Sequence, residues 1–210
     1  MDMQFYGANC VVLSSKQARV VIDDNLTALC GKSVVKDGDI CLFTGEHDAV
    51  SGNPKLVLDM PGEYEASNVS IFGLQARAHM DVHEGDQKSV VIYKITWGDT
   101  KILVTGHVFP KLTDDQLEAI GLVDVMFVPV GGNGYTLDAA GALQLIKAVE
   151  PKIVIPTHYN DKALKYEVPQ TELSDALHTL GMEPKETVTK FQFKPAEVTD
   201  TTQLVILEKA

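Results

Sequence analysis

Short apolar runs separated by polar turns dominate the first half of the chain. Runs rich in Val and Ile predict strands at residues 3–5, 10–14, 18–23, 40–43, 55–58, 69–75, 90–97 and 101–105. Residues 90–97 alternate as a strand does, and Gly98-Asp99 predicts a two-residue hairpin turn into residues 101–105. The pattern therefore predicts little helix before about residue 110.

Helices and strands alternate in the second half. Thr113-Asp-Asp-Gln116 has the form of a capping box, which predicts the start of a short helix. The remaining elements are predicted as strands at residues 123–130, 153–155, 190–193 and 203–208 and helices at 136–149 and 169–180. The strands at 123–130 and 153–155 flank a helix, so they are expected to be parallel neighbours. We therefore predict one α/β domain over residues 1–210, with two sheets packed face to face and helices outside.

Composition and charge narrow the function classes. The formal net charge of the 210 residues is −11, from 29 acidic and 18 basic residues with no Lys/Arg cluster, which disfavours binding to nucleic acid. The apolar runs are shorter than a membrane span. Three cysteines without a CxxC pair argue against a disulfide framework. We predict a cytoplasmic protein that binds a small-molecule substrate and neither nucleic acid nor membrane; assembly into a homo-oligomer is left open.

Four of the six histidines stand at, or one step beyond, the end of an apolar run: His47, His79, His107 and His158. A strand end holds a side chain at a rigid edge beside the loops that carry function, and imidazole is a common metal ligand. We expect these four side chains to converge on one metal-binding pocket. Taken singly, each is also explained as a hydrogen-bonded histidine that caps a strand or as a solvated loop residue. His83, in an acidic stretch, is expected at the surface.

Several segments carry a family resemblance. They are residues 5–13, 21–23, 61–65, 103–106, 112–117, 124–138 and 151–159, and the last two, DVMFVPVGGNGYTLD and PKIVIPTHY, are specific. On these residues the chain resembles the metallo-β-lactamase superfamily, in particular its compact intracellular metal-dependent hydrolases related to the ascorbate-phosphate lactonases. The resemblance implies a four-layer αββα sandwich of two packed mixed β-sheets, with metal ligands on loops at one edge of both sheets.

The metal motif of that family, HxHxDH, is incomplete here. Its four ligand positions are occupied by Gly45, His47, Ala49 and Val50. Carried over by position, His47 and His79 would serve a first metal and His158 a second, while His107 stands where the family has a bridging Asp. Because His158 alone cannot hold a second ion, the resemblance implies at most one metal, as zinc, manganese or iron, or none.

Two functions are therefore left open. The first is a metal-dependent hydrolase of a small ester, lactone or phosphorylated metabolite, with a site of His47, His79 and His107, with or without His158. Asp48 or Glu46 would act as its base. The second is a catalytically inactive pseudoenzyme that keeps the fold as a binding or oligomerisation module.

Overall fold

The computed structural model describes residues 1–79 and 88–210, so His83 lies outside the described residues. Its strands are β1 (Asp2–Gly7), β2 (Cys10–Ser14), β3 (Arg19–Ile22), β4 (Ile40–Leu42), β5 (Leu56–Leu58), β6 (Gly62–Ala66), β7 (Val69–Arg77), β8 (Ser89–Trp97), β9 (Thr100–Val104), β10 (Val125–Pro129), β11 (Ile153–Thr157), β12 (Pro184–Val188) and β13 (Gln203–Leu207). The helices are α1 (Asp114–Ile120), α2 (Ala139–Val149) and α3 (Leu173–Leu180). In this part of the chain, no helix is long and apolar enough to cross a membrane.

The strands form two mixed sheets, as predicted. The small sheet has the order β1-β2-β3-β4-β5, and the large sheet has the order β12-β13-β11-β10-β9-β8-β7-β6. The predicted crossover is confirmed, because β10 and β11 are parallel neighbours with Val125 opposite Ile153 and α2 between them in sequence. The predicted hairpin is confirmed as well, since Trp97 pairs with Thr100 across the two-residue turn.

Two apolar clusters hold the layers together. The first lies between the sheets and includes Phe5, Ile22, Tyr93, Phe127 and Ile155. The second lies between the large sheet and the helices and includes Met126, Leu145, Val154 and Leu180. The outer face of the small sheet packs against loop residues, including Leu26, Val34 and Leu164. Among the described residues, helix therefore covers the large sheet, and loops cover the small one.

Two edge strands differ from the prediction. The sequence pattern does not predict β6. It predicts a strand at residues 190–193, but the strand of this region is β12, and Phe191 makes an isolated bridge to Met3. Both β6 and β12 are edge strands of the large sheet and alternate half-buried with exposed residues. Their sequences thus lack the continuous apolar run that marks a central strand.

The helix starts are set by their caps. Thr113 accepts a hydrogen bond from the Gln116 backbone and Gln116 from that of Thr113, which confirms the capping box of α1. Helix α2 begins at Ala139 rather than at residue 136, because the Asp138 carboxylate caps it by accepting from the Gly141 N–H at 2.7 Å. Helix α3 begins at Leu173 rather than at residue 169.

The strand directions gather several loops at one edge of the fold. In the large sheet, β9, β10 and β11 are parallel, and two antiparallel pairings in succession give β7 the same direction as β9. In the small sheet β3 and β4 are parallel. The carboxyl ends of parallel strands are where open α/β sheets place their ligands.

Candidate functional site

A cavity of about 480 Å³ opens where these strands end. Its lining residues are Ala8, Asn9, Asp23, Asn25, Ala28, Leu29, Thr44, Gly45, Glu46, His47, Asp48, Ala78, Lys88, Ser89, Val90, His107, Tyr135, His158 and Glu167. The volume falls within the range of small-molecule sites, roughly 300–1,000 Å³.

His158 lies directly after β11 and is 3% exposed. Its Nδ1 lies 3.1 Å from Oε1 of Gln170, and the Gln170 amide nitrogen donates to the Val168 carbonyl at 2.9 Å. Since a carbonyl oxygen only accepts, Nδ1 carries the proton and Nε2 keeps its lone pair. Burial lowers the pKa of His158 to about 4, against a smaller opposing effect of the Gln170 hydrogen bond.

His107 lies three residues beyond Val104, the last residue of β9, and its ring is held through Nε2, whereas that of His158 is held through Nδ1. The Asn9 side-chain amide lies 3.2 Å from Nε2, and the Thr157 hydroxyl donates to Oδ1 of Asn9 at 2.9 Å. The amide nitrogen of Asn9 therefore donates to Nε2, and the proton of the neutral imidazole sits on Nδ1. Burial lowers the pKa of His107 to about 3, with further lowering by His158 and His79. By hydrogen-bond geometry, Nδ1 is buried and has no partner among the described residues, although the Tyr135 backbone lies close enough to oppose the lowering of the pKa.

His107 and His158 are ring neighbours. Their centroids lie 4.9 Å apart with the ring planes at 79°, and the Tyr135 ring lies 5.3 Å from His107 and 5.8 Å from His158. Burial raises the pKa of Tyr135, and the charges of Glu167 and Glu46 raise it further, so its phenol stays protonated. At neutral pH the base of the cavity is thus a pair of uncharged imidazoles beside a hydroxyl donor.

Two glycines let the loops approach closely enough to build this arrangement. A Cβ at Gly131 would lie 2.0 Å from the His158 carbonyl oxygen and 2.1 Å from Oε1 of Gln170. Gly106 has a positive φ of 55°, and a Cβ there would lie 2.1 Å from the Thr44 hydroxyl. A side chain at either position would displace a loop that lines the cavity.

Asp23, just past the end of β3, is a site residue that the sequence interpretation did not assign. It is 5% exposed, and its carboxylate accepts from the Thr44 backbone N–H and hydroxyl, both at 2.7 Å. Burial raises the pKa of Asp23 to about 6, although the two bonds from Thr44 act in the opposite direction. The pair ties the end of β3 to the loop after β4. A carboxylate directly after a buried apolar run was the available signal.

Residues 2–158 match the sequence profile of the β-lactamase superfamily domain. The chain belongs to this superfamily. The first curated relatives are metal-dependent hydrolases of Thermoplasma acidophilum and Carboxydothermus hydrogenoformans, 47% and 48% identical over 48 and 44 residues. These matches cover 21% of this chain in both cases, and 21% and 19% of the relatives. The chain thus matches about a fifth of their length. A metal-dependent hydrolase of Natranaerobius thermophilus is 26% identical over 198 residues, covering 76% of this chain and 84% of that protein.

Two solved structures share the fold. A candidate Zn-dependent hydrolase of the metallo-β-lactamase superfamily from Thermotoga maritima superposes with a TM-score of 0.72 at 24% identity, covering 98% of this chain and 97% of that one. A candidate metal-dependent hydrolase from Parabacteroides distasonis gives 0.64 at 16% identity, covering 98% and 93%. The metallo-β-lactamase fold expected from the resemblance is confirmed.

The superfamily relatives imply a metal cofactor, but the described side chains do not fit one. Within residues 1–79 and 88–210, no three His, Cys, Asp or Glu side chains are grouped so that they could hold a metal ion. Nε2 of His107 is bonded to Asn9, and Nδ1 of His158 faces Gln170. A metal centre of three or more protein ligands is not formed by these residues as they are arranged.

His47 and His79 do not join the imidazole pair as ligands. The His47 ring stacks on Phe43 at 3.8 Å, with Nδ1 at 2.7 Å from the Asp48 carbonyl and Nε2 at 3.5 Å from the Asp59 carboxylate. The backbone N–H of His79 donates to the His107 carbonyl at 2.7 Å, so the two loops touch. Nδ1 of His79 is buried and has no hydrogen-bond partner within residues 1–79 and 88–210, and burial lowers the pKa of this side chain. Of the four predicted ligands, His107 and His158 are the pair whose rings meet in the structure, edge to face.

The predicted bases lie at the rim. Glu46 and Asp48 are exposed and line the cavity, and Glu46 pairs with Lys88 at 3.1 Å. Asn9, Tyr135 and Gln170 were not assigned to the site from the sequence. They reach it from separate loops, and no local pattern in the sequence marks them.

Proposed function

We propose that the protein hydrolyses a small ester, lactone or phosphorylated metabolite in this cavity, with at most one metal ion, zinc, manganese or iron. The observation that carries the proposal is the pair of neutral imidazoles, 4.9 Å apart, in a cavity of small-molecule size at the strand ends. Membership of a superfamily with hydrolase relatives supports it. The cytoplasmic location and the small-molecule partner predicted from the sequence are part of this proposal.

Each residue then has a definite role. Nε2 of His158 takes a proton from the attacking water as the water oxygen bonds to the substrate carbonyl carbon or phosphorus, and Gln170 holds the ring in position. The imidazolium then returns a proton to the leaving oxygen as its bond to that carbon or phosphorus breaks. The Tyr135 phenol donates a hydrogen bond to an oxygen of the substrate. Asp48 takes the role of an alternative base, since Glu46 is engaged by Lys88. No step in this scheme passes through a metal.

A second candidate function is the pseudoenzyme, and a specific contact favours it. The Asn9 amide donates to Nε2 of His107, the ring nitrogen more distant from the backbone, so this nitrogen is not available to a metal or a substrate. Together with the missing motif ligands at Gly45, Ala49 and Val50, this contact favours a fold that is kept for binding or assembly.

The two functions are separated by turnover. Protein purified without chelator is assayed for metal content and for hydrolysis of p-nitrophenyl acetate, a δ-lactone and p-nitrophenyl phosphate. We expect turnover of one of these probes, with at most one equivalent of metal. His158→Ala should reduce it at least about 100-fold, the size of a general acid–base contribution. His178→Ala, an exposed histidine on α3, is the matched control and should retain full activity.

The absence of turnover with all three probes, with and without added Zn²⁺ or Mn²⁺, would favour the pseudoenzyme. Turnover that survives His158→Ala unchanged would remove His158 from the mechanism. A size measurement in solution adds the oligomeric state, which the pseudoenzyme function uses.

A further inference from the structure

We infer that the cavity selects a neutral or cationic ester or lactone and excludes phosphorylated ones. This inference rests on the proposed function and narrows its substrate class. The described lining carries four carboxylates, on Asp23, Glu46, Asp48 and Glu167, against the single ammonium group of Lys88. A cavity lined by one sign of charge concentrates ligands of the opposite sign and repels its own.

The one ammonium group is already engaged. Nζ of Lys88 donates to the Glu46 carboxylate at 3.1 Å, and both side chains lie at the exposed rim. A phosphate approaching Lys88 would have to compete with that carboxylate. The described lining contains no arginine, the side chain that binds phosphate oxygens bidentately.

The carboxylates act on the interior of the cavity as well as on its rim. The phenol of Tyr135, which touches the imidazole pair, has its pKa raised first by burial and then by the charges of Glu167 and Glu46. Glu46 and Glu167 lie on two loops that are 121 positions apart in sequence, and both therefore place negative potential at the Tyr135 phenol. This point lies beside the proposed reaction centre.

The base of the cavity supplies no compensating positive charge. His158 is 3% exposed and lines the cavity, its Nδ1 faces Gln170, and its Nε2 has no hydrogen-bond partner among the described residues. That nitrogen offers a lone pair and no positive charge, so it does not offset the negative charge of a phosphate. A single divalent metal would not balance four carboxylates.

The test compares three probes of similar size that need no hydrolysis. Choline, its neutral isostere 3,3-dimethylbutanol and inorganic phosphate are titrated into the full chain by NMR, with the ring signals of His107 and His158 as the readout. We expect choline to bind more tightly than 3,3-dimethylbutanol, and phosphate to bind at least about tenfold more weakly than choline. Raising the ionic strength from about 0.01 M to about 1 M should reduce the preference for choline over both other probes, because it shortens the Debye length from about 30 Å to about 3 Å.

A matched pair of variants assigns the effect to the cavity. Glu167→Gln should lower the preference for choline over 3,3-dimethylbutanol about threefold to fivefold, which is the effect of one charge at about 10 Å through a partly aqueous path. Glu118→Gln removes the same charge from an exposed site on α1, outside the cavity lining, and should leave the preference unchanged. Binding is measured without turnover, so loss of the proposed hydrolase activity leaves this result standing. Phosphate binding as tight as choline, no choline binding, or equal effects of both variants would overturn the inference.

Discussion

The side-chain amide of Asn9 donates a hydrogen bond to Nε2 of His107 at 3.2 Å, across 98 positions of sequence. The Thr157 hydroxyl holds the other end of the amide at 2.9 Å, so the orientation of Asn9 is fixed by a residue of β11. The turn between β1 and β2 thereby ties the loop after β9 to the end of β11, which lie on either side of β10 in the large sheet. The imidazole of His107 is held as part of a polar network instead of being directed at a ligand.

Removing that network should cost stability. In Asn9→Ala, Nε2 of His107 and the Thr157 hydroxyl both lose a buried partner, and we expect the free energy of unfolding to fall by about 1–3 kcal/mol. Urea denaturation of both variants measures the change. Asn53→Ala, at an exposed position, should change it by less than about 0.5 kcal/mol. Equal stability of the two variants would show that the Asn9 bonds contribute nothing.

The proton position on His158 should depend on Gln170. Because Oε1 of Gln170 accepts from Nδ1, the wild-type imidazole is the Nδ1–H tautomer. In Gln170→Leu that acceptor is lost, and we expect a shift toward the Nε2–H tautomer in two-dimensional 1H–15N spectra of the imidazole ring. Gln144→Leu, on the exposed side of α2, should leave the His158 signals in place. An Nε2–H tautomer already present in the wild type would contradict the assignment.

The close approach at Gly131 gives a steric prediction. In Gly131→Ala the new Cβ would meet the His158 backbone oxygen at 2.0 Å and Oε1 of Gln170 at 2.1 Å. Backbone must move to relieve this, and we expect a loss of at least about 2 kcal/mol in the free energy of unfolding. Gly45→Ala is the control, since its nearest neighbour, a Val90 methyl, lies 4.0 Å away. A Gly131→Ala protein as stable as Gly45→Ala would show that the loop has room to adjust.

The pH dependence of stability should reflect Asp23 on one side and the buried histidines on the other, His107 and His158, whose pKa values are about 3 and about 4 in the folded protein. His158 has a pKa of about 4 when folded and an ordinary value of 6.5, so between these values only the unfolded chain takes up its proton. Its contribution to stability is therefore present above pH 6.5 and lost as the pH falls to about 4. Asp23 has a pKa of about 6 when folded against 3.8, so between these values the folded chain holds the extra proton and stability falls as the pH rises.

Replacing Asp23 should expose the histidine effect. In Asp23→Asn the folded chain no longer takes up a proton at this position, so the proton uptake of the histidines in the unfolded chain is no longer offset. The loss of stability on lowering the pH from 6 to 4 should therefore steepen by about 1.4 kcal/mol per pH unit. Urea midpoints measured at intervals across this range give the slope. Asp200→Asn, at an exposed position, should keep the wild-type slope. A slope that is flatter in Asp23→Asn than in the wild type would reverse the sign and refute the assignment.

Much of the fold follows from local pattern. Strands β3, β9 and β11 end in runs that are buried on both faces, at residues 20–22, 102–104 and 153–157. Such runs stand out in the sequence because every residue in them is apolar or small. The capping box at Thr113 and the crossover through α2 depend on near neighbours only. The edge strands β6 and β12 could not be predicted from the sequence, because one face of each meets solvent and neither forms a continuous apolar run.

The sequence by itself determined which residues arrive at the site edge, since a histidine at the end of a strand must lie where that strand ends. This accounts for His79, His107 and His158. What each ring does there was decided by tertiary structure alone. Stacking on Phe43 turns His47 toward Asp59, and Asn9 and Gln170 hold the other rings from loops that are remote in sequence. Hydrogen-bond partners across the fold depend on where loops meet, and no periodicity in the chain records that meeting.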